Sequence, residues 1–73
     1  MRTLSELKPR EASVIKELSP DCPLRLAELG FLPGEAVELM YKSPLGWPRA
    51  YLVMGGVVAL RRCDADRIYV VSK

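Results

Sequence analysis

The side chains able to do chemistry are few: two cysteines at 22 and 63, an aspartate pair at 64 and 66, and eleven cationic against nine acidic residues, with no histidine. Without imidazole the chain has no ordinary general base near neutral pH, and it carries no G-x-x-x-x-G-K-[ST] phosphate loop. The expected function is therefore not enzymatic, and no cofactor is implied. Sites for divalent transition metals commonly use imidazole or several carboxylates, so a strong intrinsic metal site is not expected. Cys22, Cys63 and the nearby aspartates are the only thiolate and oxygen donors worth testing; packing of both thiols is the simpler reading, and the metal ligands stay unknown. The cysteines lie far apart and form no C-x-x-C pair, which predicts two free thiols. Asp64 and Asp66, on a one-turn element, are expected to cap amides and solvate the surface.

Charge narrows the partners. A net charge of +2 and a pI near 8.7, with acidic residues interspersed among basic ones, do not make the dense basic stripe of a nucleic-acid binder. Arg61-Arg62, with Arg67 beyond, can form a small positive patch for an acidic surface or a phosphate, with a solvated face as the plainer reading. Trp47 sits in a Pro-Gly loop, either folded over a small core or offered to a partner, and packing is favoured.

The elements that must position these residues begin with the stretch Leu24 to Gly34. It reads as a short helix with Asp21 as N-cap, ended by Gly30, then a type II turn at Pro33-Gly34. Leu26 and Leu29, three apart, can face the core, while Leu24, Arg25 and Glu28 spread toward solvent. Arg25 and Glu28 are close enough for an i,i+3 contact, and Arg25 can alternatively tie the helix to the rest of the domain. Strands are predicted at Glu11 to Leu18 and Glu35 to Lys42, the second with Val37, Leu39 and Tyr41 on one side. Ser43 to Pro48 is a loop. Arg49 to Met54 and Val57 to Arg61 form a hairpin around Gly55-Gly56; Asp64 to Arg67 makes one turn capped by Asp64, and Ile68 to Val71 closes the sheet.

The whole chain, 1–73, is expected to be one domain, burying only about 60% of its unfolded surface. Apolar runs fall far short of the roughly 20 residues that span a bilayer, and Met-Arg-Thr-Leu-Ser-Glu-Leu lacks the apolar centre of a secretory signal, which predicts a cytoplasmic location. Five short strands with one helix between the first and second predict a mainly β fold, a small SH3-like antiparallel barrel whose near closure hides its edges.

In that order the residues resemble the FeoA family of small cytoplasmic proteins associated with bacterial ferrous iron uptake. The resemblance rests on Leu4-Ser-Glu-Leu-Lys-Pro9, Arg25-Leu26 with Glu28-Leu29-Gly30-Phe31-Leu32-Pro33-Gly34, Ser43-Pro44-Leu45-Gly46 with Pro48, and Ala59-Leu60-Arg61 followed by Ala65 and Ile68-Tyr69-Val70. It implies an SH3-like barrel that works with the membrane transporter FeoB, whose cytoplasmic part carries a GTP-binding domain. The candidate partner contacts are Leu24, Arg25, Glu28, Leu29, Phe31 and Arg61. A similar domain ends some metal-dependent repressors, so the alternative is a transition-metal sensor or carrier; nucleic-acid binding is the weakest reading, and a monomer or weak dimer is expected. The chain departs from the family where Arg10 replaces a frequent glycine and where Met54-Gly55-Gly56-Val57 replaces an arginine-glycine-aromatic sequence.

Overall fold

The computed structural model describes residues 2–71 and shows six strands, two single-turn helices and one 3₁₀ turn. In chain order these are β1 (Arg2–Thr3), the 3₁₀ turn (Leu4–Glu6), β2 (Ala12–Leu18), α1 (Leu24–Glu28), β3 (Ala36–Lys42), β4 (Arg49–Val53), β5 (Gly56–Leu60), α2 (Arg62–Ala65) and β6 (Ile68–Val70). The strands pair antiparallel in the order β1-β6-β2-β3-β4-β5. The mainly β expectation holds, with two corrections. A sixth strand exists, two residues long, and the sheet is open between β1 and β5 rather than closed.

The 3₁₀ turn lies beside that opening and is held by side chains of β4. Tyr51 Oη donates to the Leu4 carbonyl at 3.0 Å, and Arg49 Nη1 donates to the Ser5 carbonyl at 2.8 Å. Both bonds satisfy carbonyls that no strand partner reaches. Inside, Leu4, Ile15, Leu26, Phe31, Leu39, Tyr51, Leu60 and Ile68 are fully buried in one cluster.

Two irregularities turn side chains against their alternation. The β3–β4 register slips between Leu39 and Tyr41, so Val37 and Leu39 enter the core while Tyr41 faces solvent. An extra residue on one strand reverses the faces beyond it. In β2 a second slip follows Ile15, the one residue of that strand that is fully buried.

The hairpin turn also sits one residue earlier than Gly55-Gly56. Val53 pairs with Gly56, leaving Met54 and Gly55 as the two loop residues, with φ of 48° and 78°. Positive φ at both is the type I′ geometry that matches strand twist, and Met54 accepts it in place of glycine. The type II turn is as predicted: Glu35 N–H donates to the Leu32 carbonyl across Pro33-Gly34, and Gly34 has φ 94°.

Candidate functional site

Five helical residues are too few to hold a helix in water, so α1 must be fixed by its ends and by one buried face. At the C-terminal end Phe31 N–H donates to the Leu26 carbonyl and Gly30 N–H to the Ala27 carbonyl, each at 3.0 Å. This is a Schellman motif, with Gly30 at φ 111° and the two flanking apolar residues, Leu26 and Phe31, both buried. Phe31 therefore has no surface to offer a partner. Its expected place in the contact set is corrected: the motif that reverses the chain also turns this ring inward.

Gly30 is also a contact point. A β-carbon there would stand 2.9 Å from Met54 Sδ, so the hairpin tip rests directly on the end of the helix.

The N-terminal end departs from expectation. Pro23 occupies the N-cap position and no side chain caps the helix. Asp21 is engaged elsewhere: the Ser19 hydroxyl donates to it, and Arg67 Nε stands 3.1 Å from its Oδ2. The hydroxyl bond, with Arg67 adding to it, holds this carboxyl below the usual carboxylate range.

Between the helices runs an ionic tie. Arg25 Nη2 donates to Asp64 Oδ2 at 3.0 Å, and Arg61 Nε approaches the same oxygen at 3.5 Å. Arg25 thus takes the tethering role rather than an i,i+3 contact with Glu28. Asp64 does not cap its own turn, whose N-cap is Arg61. It is the buried partner of two arginines from different elements. The expected positive patch is largely neutralised, because Arg61, Arg62 and Arg67 stand beside Asp64, Asp66 and Asp21 respectively.

The thiols are free. Cys22 is half-buried against the core, and burial together with the negative charge of Asp64 pushes its thiol up, keeping it protonated and unreactive at neutral pH. Cys63 is exposed. Among the described residues no three His, Cys, Asp or Glu side chains converge on a point where a metal ion could be held. Trp47 packs against the core, and Arg49 lies 4.1 Å above its ring.

Around α1 an apolar cluster is left in solvent. Leu24 is 75% exposed and Leu29 is 43% exposed, with Leu32 and Met54 also exposed around the end of the helix. Arg25, Glu28 and Arg61 are exposed beside them.

A family model described as the FeoA domain matches residues 2–72. The chain belongs to the FeoA domain family. Among solved structures, this FeoA domain is similar to FeoA of Stenotrophomonas maltophilia, with 34% identity and a TM-score of 0.86 over 97% of this chain and 91% of that one. That protein was solved as a zinc complex and is described as a prokaryotic SH3 domain protein and a candidate activating factor of bacterial ferrous iron transport. Iron(II) transport protein A of Clostridium thermocellum is 35% identical, with a TM-score of 0.87 over 94% of this chain and 44% of that one. A manganese-dependent transcriptional repressor matches with a TM-score of 0.82 over 99% of this chain and 41% of its own, but at 19% identity it shares the fold alone. No curated protein matches the sequence. The SH3-like architecture and the link of the family to ferrous iron transport follow from these relatives. No described helix is long and apolar enough to cross a membrane.

Proposed function

We propose that this FeoA domain is a non-enzymatic accessory of ferrous iron uptake in the cytoplasm, which docks α1 and its flanking loop on the cytoplasmic GTP-binding part of a FeoB-type transporter. The observation that carries the reading is the exposure of Leu24 and Leu29 on a helix fixed at both ends, by the Schellman motif and by Arg25–Asp64. Exposed leucines on a rigid support form a docking surface at small entropic cost, and Arg25, Glu28 and Arg61 supply a polar rim. To modulate the transporter, binding must differ between its states, because a ligand with equal affinity for both shifts neither.

The metal-sensor alternative has less support, since among the described residues no three donor side chains converge. An amide NMR titration with the GTP-binding part of the transporter, in its GDP-bound and GTP-bound states, tests the proposal. Shifts concentrated on residues 24–34 and stronger in one state are the expected result; equal shifts in both states, or none, would overturn it.

A further inference from the structure

Strand β5 is a sheet edge with no protection. It pairs with β4 on one side and, among the described residues, with no strand on the other. In the two-residue hairpin Val53 and Gly56 exchange hydrogen bonds, so Gly56, Val58 and Leu60 direct their backbone groups to β4 while Val57 and Ala59 direct theirs outward. None of the described residues hydrogen-bonds to those outward groups. Edges of folded proteins are normally blunted by charge, proline or a bulge. The sequence Gly-Val-Val-Ala-Leu has none, its pairing with β4 is regular, and the side chains of Val57 and Ala59 are exposed.

We propose that β5 is a self-pairing edge, binding β5 of a second copy antiparallel about a two-fold axis through Val58. That register sets Val57 of one protomer opposite Ala59 of the other, twice, and each pair exchanges two N–H···O bonds. All four outward donors and acceptors of each edge are then satisfied, and a larger side chain faces a smaller one at each pair.

Charge selects this arrangement. Arg61 and Arg62, which follow β5 and open α2, come to lie toward the hairpin-turn end of the second copy's β5, so the cationic side chains that flank the edge never meet their own kind. A parallel pairing would stack arginine on arginine. The pairing uses backbone groups of Val57 and Ala59 and none of the exposed leucines of α1, so it does not depend on the transporter reading, although Met54 and Arg61 border both surfaces. Four hydrogen bonds and little buried area make a weak dimer, with a dissociation constant between about 10 µM and 1 mM.

Sedimentation and amide hydrogen exchange across a protein concentration series reaching about 1 mM test it. Mass should rise toward the dimer, and the Val57 and Ala59 amides should gain protection with concentration while the other exposed amides do not. Val57→Lys and, separately, Ala59→Pro should each abolish the rise with the fold retained, since neither change touches a bond to β4. A monomer at the highest concentration would overturn the proposal. So would a dimer unaffected by both variants, or an edge that takes a strand from another protein but never from a second copy.

Discussion

Arg25 of α1 places Nη2 3.0 Å from Oδ2 of Asp64 in α2, and the carboxylate it reaches retains only 3% of its side-chain exposure. A buried carboxylate without a partner is costly, so this contact holds together two helices, neither long enough to stand alone.

Replacing Arg25 with Ala should lower the free energy of unfolding by roughly 1–2 kcal/mol, a figure reduced from that of a fully buried pair because Arg25 is half in solvent. Arg61→Ala should cost less than about 1 kcal/mol, given its longer contact and greater exposure. Urea denaturation of both variants compares them. A larger loss in the Arg61 variant would contradict the assigned order.

Gly30→Ala imposes a β-carbon at φ 111° and against Met54. The expected loss is about 1–3 kcal/mol. Removing the Met54 side chain in the double variant should recover only the part due to the clash, since the backbone strain remains. A thermal-melt double-mutant cycle separates the two.

Burial pushes the Tyr51 phenol up to about 12, whereas the unfolded chain titrates near 10. The raised value means that the neutral ring favours the folded state. Its contribution is complete below about pH 10 and disappears as pH rises through about 12. Tyr51→Phe should cost about 1 kcal/mol at neutral pH through the lost bond to Leu4, and should weaken the alkaline fall in stability. Denaturation at a series of alkaline pH values checks the sign.

Arg10 has φ 68° and forms an exposed ion pair with Glu38 at 3.3 Å. Relief of the left-handed strain outweighs both the weak pair and the extra freedom of an unfolded glycine, so Arg10→Gly should raise stability by about 0.5 kcal/mol. A lower melting temperature would refute that balance.

Leu29→Ala should weaken binding to the GTP-binding part of the transporter by about tenfold with the fold intact. Phe31→Ala should instead unfold the domain, because it removes a buried ring at a cost of about 3–5 kcal/mol. Calorimetric titration beside circular dichroism distinguishes contact from support.

The sequence shows some of this plainly and hides the rest for definite reasons. Glycine and proline mark the end of α1 and the type II turn, because only special backbone angles fit there. Alternation identifies Val37 and Leu39, then misplaces Tyr41, since a bulge leaves no mark on side-chain type. The Gly55-Gly56 pair draws the hairpin turn one residue too far, because Met54 takes an angle usually left to glycine. Strand β1 is too short to carry a period. Asp64 reads as a cap from its neighbours; the arginine that determines its role is 39 residues away. Of the expected contact residues, Leu24, Arg25, Glu28, Leu29 and Arg61 are exposed and Phe31 is not, a distinction that depends on a backbone reversal rather than on hydrophobicity.

The position of β6 has a consequence for synthesis. It lies between β1 and β2, joining the first strand of the sheet to the second, yet it is made after every other described strand. A nascent chain that has reached only α2 has β1 unpaired beside the β2-β3-β4-β5 sheet and an incomplete core, lacking Ile68 and Val70. The hairpins can form early, but the domain cannot close until residue 70 has cleared the ribosome, so its cooperative folding step falls after that point.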